Sequence, residues 1–168
     1  MASYLSSKVK IGTSKKSGKG LFAIDKIQKG EIVIDYKDGI GKYVNHAEAE
    51  KLWLQGIDYD IQIKQDLFFV PSGRGKEIEE ADYLNHSCNP TCGIRDVLKI
   101  VAMRDIEKGE EITFDYAMSE SYPYNMKCNC GEKNCRGNIT GDDWERPELQ
   151  TRYKGYFSDY INKMIDSL

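Results

Sequence analysis

The segment Asn85-His86-Ser87-Cys88-Asn89-Pro90-Thr91-Cys92 concentrates a carboxamide, one of the chain's 2 histidines and two of its 5 cysteines. Amide and imidazole groups can hold the polar ends of a ligand, and thiols can hold a soft metal ion. Pro90 removes a backbone donor and drives Asn89 toward extended backbone, while Asn and Ser side chains compete for nearby backbone groups. The segment therefore reads as a tight polar connection, not as a helix or a central strand. An Asn-His-Ser triplet alone is more often an ordinary turn; segments elsewhere in the chain change that weighing.

Cys128, Cys130 and Cys135 form C-x-C-x4-C in a loop-like stretch where Gly131 and Gly137 permit the sharp bends that thiolates need to converge on one ion. Residues 1–10 lack the hydrophobic stretch of a signal peptide, and no apolar run is long enough to span a bilayer, so a cytosolic protein is expected. Disulfides rarely persist there, and 5 thiols cannot all pair within the chain, which favours metal over cross-links. Three soft ligands need a fourth for tetrahedral zinc. Cys88 is the leading candidate, with Cys92 and, as a mixed-ligand variant, His86 as rivals. Three unrelated surface thiols are the plain alternative, hard to reconcile with such spacing in a glycine-rich loop.

The balance of 24 basic against 27 acidic residues, net -3, offers nothing global to recruit nucleic acid or anionic membrane, and it would not repel a cationic substrate. At 168 residues, with 40% apolar and 30% charged content, the chain fits one domain, or one plus a small appendage, and can bury most of its apolar surface.

The elements that must position these groups read mostly as strands. Residues 8–12 alternate as a strand, and Gly18-Lys19-Gly20 sits in a Ser/Lys/Gly loop where a backbone could approach a ligand or merely turn. Residues 23–36 are echoed at 102–116: Ile27-Gln-Lys29-Gly30-Glu31 leading to Asp35-Tyr36 matches Ile106-Glu-Lys108-Gly109-Glu110 leading to Asp115-Tyr116. Both predict strand, Lys-Gly turn, strand, and the pattern cannot say which Asp-Tyr pair, if either, does chemistry.

Asn45 with Glu48 three residues on predicts a capped short helix that turns Leu52 and Trp53 inward and stops at Gly56, with His46 solvated. Residues 59–64 and 67–70 predict a hairpin or corner ended by Pro71-Ser72-Gly73. Residues 74–80 read as a charged loop, and residues 97–103 as a buried strand. Leu149, Tyr153, Tyr156, Phe157, Tyr160, Ile161 and Met164 recur at helical spacing after Pro147, predicting a C-terminal helix docked on the domain.

Taken together, Gly18-Lys-Gly-Leu-Phe-Ala23, Asn85-His-Ser-Cys-Asn-Pro90, Gly109-Glu-Glu-Ile-Thr-Phe-Asp-Tyr116 and the cysteine loop resemble the ordered motifs of a SET-domain protein-lysine methyltransferase with a post-SET zinc segment. The resemblance covers residues 8–137, and the tail from Asp142 is similar to the C-terminal helix of compact prokaryotic members. It implies a mostly β fold with short helices: several small twisted sheets around a knot-like crossing, plus that helix. The implied units are a SET domain at 8–120 with an insert at about 37–75, a post-SET zinc segment at 121–140 and the helix at 141–168.

Carried over by motif, the resemblance assigns Gly18, Lys19, Gly20 and Leu21 to backbone contacts with S-adenosylmethionine, and Asn85 and His86 to its amino-acid and adenine ends. Tyr116 matches the catalytic tyrosine, Phe114 the position that sizes the lysine pocket, and Tyr59 an aromatic wall of the lysine channel. Cys88 matches the fourth ligand of one structural zinc ion, beside Cys128, Cys130 and Cys135. Phe114 where a tyrosine could stand implies di- or trimethylation. The implied partner is a protein with an exposed lysine, a histone or histone-like protein among the candidates.

Asp82, Tyr83, Thr91 and Lys19 depart from residues frequent in the family. No cysteine-rich segment precedes Lys8, so substrate choice is expected to fall to the insert and the C-terminal helix. The alternative from another class is a catalytically silent SET-like module that binds lysine-bearing tails. A zinc-loop nucleic-acid binder is disfavoured because no basic stripe accompanies the loop.

Overall fold

The computed structural model describes residues 3–37, 41–71 and 79–168. Residues 72 and 73 of the expected strand end and 74–78 of the expected charged loop lie outside them. The chain opens with strands β1 (Tyr4–Leu5), β2 (Val9–Thr13), β3 (Lys19–Ala23) and β4 (Ile32–Asp35). Next come β5 (Gly41–Val44), helix α1 (His46–Trp53), β6 (Ile61–Lys64) and β7 (Leu67–Pro71), then β8 (Asn85–His86), β9 (Cys92–Arg95), β10 (Lys99–Ala102) and β11 (Glu111–Phe114). Strands β12 (Asn125–Lys127) and β13 (Asn138–Thr140) and helices α2 (Pro147–Arg152) and α3 (Asp159–Ile165) close it. The result is the mostly β architecture expected, in small sheets ordered β1-β4-β10-β9, β2-β3-β11-β8, β5-β7-β6 and β12-β13.

The sequence echo is physical pairing. Ile27 and Ile106 exchange backbone hydrogen bonds of 3.0 and 2.9 Å, so the two Lys-Gly units lie side by side, each turned by a glycine at positive φ (Gly30 at 89°, Gly109 at 92°). Ile27, Ile34, Ile94, Ile100, Ile106, Ile112 and Met118 are fully buried in one core between the first two sheets. A smaller core gathers Val44, Ala49, Ile57, Phe68 and Val70, with Leu52 and Trp53 of α1 packed inward as their spacing predicted.

Helix α1 begins with the capping box read in the sequence: Asn45 Oδ1 accepts from the Glu48 amide at 3.0 Å, and Glu48 Oε2 accepts from the Asn45 amide at 3.3 Å. His46 is more engaged than expected, its ring edge-on to Trp53 at 5.6 Å.

The single C-terminal helix expected over 147–165 is instead two short ones. Gly155 adopts φ of 82°, which ends the first, and the Ser158 hydroxyl caps the second by accepting from the Ile161 amide at 3.3 Å. The aromatic face still docks on the domain: Tyr153, Phe157 and Ile161 are buried in the main core, and the Ile94 amide donates to the Tyr156 carbonyl at 3.1 Å. Among the described residues, no helix is long and apolar enough to cross a membrane.

Candidate active site and cysteine cluster

Strand β8 is two residues long, yet its pairing brings together groups that are far apart in sequence. It lies parallel to β11 with Asn85 opposite Thr113 and His86 opposite Phe114, and the Ser87 amide extends the ladder to the Phe114 carbonyl at 3.0 Å. His86 is therefore set beside Tyr116: its Nδ1 accepts the Tyr116 amide at 3.3 Å, and the two rings meet edge to face with centroids 5.0 Å apart. Burial pushes the His86 pKa down to about 4, so the ring is a neutral acceptor and its 3.7 Å approach to Asp115 is not an ion pair.

Asn85 Nδ2 donates to the Lys19 carbonyl and to Glu111 Oε1, both at 2.9 Å, which ties the Gly-Lys-Gly turn to β8 and β11. A Cβ at Gly20 would come within 2.5 Å of Glu111 Oε1 and 2.8 Å of Asn85 Nδ2, so a larger residue there would displace the side chains that make this tie.

A cavity of about 530 Å³ runs through this region, lined by Lys19, Asn85 and His86 and also by Tyr59, Phe114 and Tyr116. Two groups of residues assigned by motif, one for the cofactor and one for the lysine, thus share one space. Gly18, Gly20 and Leu21 are not among the described residues that line it. Leu21 is fully buried in the core, with Ile11 and Ile112 as its strand partners.

Phe114 packs 5.4 Å from Tyr116, centroid to centroid. The Tyr116 pKa is raised by burial first and then by the charges of Asp58, Glu120 and Asp60, so its hydroxyl stays protonated and can donate a hydrogen bond without acting as a strong base. Burial, with Asp82 and Asp58 nearby, raises that of Tyr59 as well.

Sequence reasoning missed several cavity residues: Asp60, Glu120, Tyr122 and Tyr124. Tyr122 stacks on Trp53 of α1 at 4.8 Å and 17°, and Tyr124 lies 5.1 Å from Tyr122. The Tyr122-Pro123-Tyr124 run just before the cysteine loop was the available signal, but it carries no spacing that names a cavity.

Cys88, Cys128, Cys130 and Cys135 present sulfurs that all lie within 4.8 Å of one another, and Cys88 Sγ is 3.8 Å from Cys128 Sγ. Four thiolates about 2.3 Å from a tetrahedral zinc would be separated by about 3.8 Å, so the cluster is compatible with the ion. Backbone amides of Arg136 and Gly137 donate to Cys88 and Cys135 sulfurs at 3.4 Å each, as suits thiolate acceptors. Without an ion, burial pushes the Cys88 thiol up to about 11 and raises that of Cys128, while at Cys130 backbone amide donors outweigh burial and draw the pKa down to about 7. Of the rivals, Cys92 lies apart in the main core, its thiol pushed up to about 12 by burial. His86 Nε2 comes within 3.5 Å of Cys88 Sγ, while its other nitrogen holds the Tyr116 amide.

A buried ionic network, also unread in the sequence, joins this cluster to Tyr116. Arg136 donates to Asp115 through Nη1 at 2.6 Å and Nη2 at 2.8 Å, and to Asp143 through Nε at 2.8 Å. The Tyr153 hydroxyl also donates to Asp115, at 2.9 Å. On the other side, the Cys88 carbonyl accepts from Asn134 at 2.7 Å and Arg152 at 3.0 Å. The polar segment is thereby held between β11 and the C-terminal part of the chain.

This geometry has relatives. The SET-domain family model matches residues 18–117, more than half of the chain, and the protein belongs to that family. It is similar to the histone-lysine N-methyltransferase ASHR3 of Arabidopsis thaliana, 32% identical over 143 residues that cover 77% of this chain and 27% of that protein. An H3 lysine-4 specific histone-lysine N-methyltransferase of Schizosaccharomyces pombe is 34% identical over 139 residues, 75% of this chain and 14% of its own length. Histone-lysine N-methyltransferase ASHH3 of Arabidopsis thaliana is 29% identical over 187 residues, 95% of this chain and 49% of that protein. The chain thus spans at most about half the length of these three relatives.

Proposed function

We propose that this chain is a protein-lysine N-methyltransferase that moves methyl groups from S-adenosylmethionine to the side-chain amine of lysine in a protein. The observation that carries the reading is the single cavity in which Lys19, Asn85 and His86 face the same space as Tyr59, Phe114 and Tyr116. By motif, the SET unit is 8–120 with its insert at 37–75, the post-SET segment 121–140 and the C-terminal helical part 141–168. The donor's sulfonium supplies an electrophilic methyl group, and its positive charge disfavours an ammonium beside it.

The chain's own residues then have defined tasks. By motif, backbone of the Gly18-Lys19-Gly20-Leu21 stretch, of which Lys19 lines the cavity, works with Asn85 and His86 to bind and orient the donor. Supplying a neutral lysine amine at pH 7 from a pKa of about 10.4 costs roughly 4 to 5 kcal/mol, and the aromatic walls at Tyr59, Phe114 and Tyr116 reduce that cost by excluding water. The Tyr116 hydroxyl orients the amine for in-line displacement, where alignment supplies much of the rate. Cys88, Cys128, Cys130 and Cys135 would hold one structural zinc ion, with no open position for catalysis.

The names of the relatives make a histone or histone-like protein the first substrate to test. The net charge of -3 gives no general attraction to membrane or nucleic acid, and we place the chain in the cytoplasm, with nuclear or secreted-effector use as the alternatives. The deciding experiment incubates the chain and Tyr116→Phe with labelled S-adenosylmethionine and a core-histone mixture. The variant should label more slowly by on the order of 10²-fold, as expected when alignment is lost; equal labelling by both would overturn the assignment. Phe114 leaves space for further methyl groups, so exhaustive reaction should give di- or trimethyl-lysine by mass spectrometry, and monomethyl-lysine alone would contradict this.

A further inference from the structure

Two carboxylates in the cavity wall have no task in the mechanism above. Glu120 is 5% exposed; its Oε1 accepts from the Ser119 hydroxyl at 2.8 Å and the Gln62 amide at 3.4 Å, while its buried Oε2 has no partner among the described residues. Asp60 Oδ1 accepts from the Trp53 indole at 2.6 Å, and its buried Oδ2 is likewise without a partner among the described residues. Both residues line the cavity that contains Tyr116. The Trp53-Tyr122 stack and Tyr124 form an aromatic wall beside them.

Buried carboxylate oxygens lacking donors are costly, and a ligand that brings donors removes the cost. Aromatic faces next to carboxylates favour a cation over any other guest, and an ammonium offers three donors on a slim stem. We propose that Glu120, backed by Asp60, receives the ammonium of the incoming lysine and holds it at the mouth of Tyr116. The pair then selects lysine over neutral side chains before methyl transfer begins. This rests on the lysine-methyltransferase reading and adds residues that the family motifs do not name.

Two measurements test it. Steady-state kinetics with core histones should show KM for the histone raised at least tenfold in Glu120→Gln and less in Asp60→Asn, while S-adenosylmethionine affinity by calorimetry stays within twofold. That last result also establishes that the isosteric variants fold. Independently of turnover, the Glu120 side-chain carboxyl of the wild-type chain, read by carbon NMR, should shift on adding n-butylammonium chloride and not on adding n-butanol. Unchanged KM in Glu120→Gln, or equal response to the amine and the alcohol, would overturn the proposal while leaving methyl transfer intact. If the wild-type chain neither binds the donor nor labels histone, the enzymatic reading falls, and the butylammonium response still decides whether the carboxylates accept a cation.

Discussion

Glu120 is buried with one of its carboxyl oxygens unpartnered among the described residues, and burial, with the Asp60 charge beside it, raises its pKa from 4.5 to about 8. Asp60 shifts in the same direction, also through burial. Between about pH 4.5 and 8 the folded chain keeps a proton on Glu120 that the unfolded chain has lost, so this group makes stability fall as pH rises through that window. Below the unfolded pKa both states are protonated and the penalty is absent. Glu120→Gln, neutral and of the same shape, should therefore match the wild type near pH 4 and exceed it by up to a few kcal/mol above pH 8. Urea unfolding at a series of pH values would show this, and parallel curves would refute the assigned burial cost. A side chain that weakens the fold and survives there is the kind of residue that substrate recognition retains.

The 121–140 segment shows how an element with little core of its own can be held. Its small apolar cluster is Ile139 and the cysteines with Tyr116 and Tyr124 packed against them, and the hairpin of β12 and β13 has exposed residues along its first strand. Lys16 pins the segment from the 14–20 turn, its Nζ donating to the Cys130 carbonyl at 2.6 Å and Glu132 at 3.0 Å. Arg136 pins it from below through Asp115 and Asp143. Arg136→Ala strands the fully buried Asp115 without its cation, which should cost about 3–5 kcal/mol. Denaturant unfolding of the metal-loaded protein would measure that, and a loss within 0.5 kcal/mol, roughly that of an ordinary surface change, would mean the network is incidental. A lysine at 136 could not serve both carboxylates, because only the planar guanidinium presents a fixed fork of donors.

At the scale of the molecule, the site is a meeting of the 14–20 turn, the 83–92 segment, the end of β11 and the 121–140 segment, so its integrity depends on every join. On the proposed zinc and donor assignments, a strong chelator should raise hydrogen exchange across 121–140 and weaken S-adenosylmethionine binding, while the β2-β3-β11 core keeps its protection. Exchange that rose uniformly, or donor affinity that did not change, would argue against the segment closing the cavity. The C-terminal helices bear on the core instead: Gly93 has no room for a Cβ, which would lie 2.5 Å from Tyr156. That contact, made by the link between α2 and α3, joins buried Leu149 of α2 and Ile161 of α3 in making the C-terminal part integral to the domain's packing.

Much of this was written in local patterns. The Asn85-His86 connection, the Asp115-Tyr116 strand end, the capping box at Asn45 and the cysteine spacing are each set by residues a few positions apart, where backbone sterics and hydrogen bonding act without help. Even the break at Gly155 and Ser158 was present as a stop and a cap, hidden behind a strong aromatic period. Tertiary structure alone decided which residues meet. It set Cys88 among the other three sulfurs and Cys92 in the core, joined Arg136 to Asp115, and turned Asp60 and Glu120 toward one cavity although 60 positions separate them. Such meetings depend on the parallel pairing of β8 with β11 and on α1 packing under Tyr122, and no short stretch of chain encodes the energy of a contact with a partner it has yet to reach.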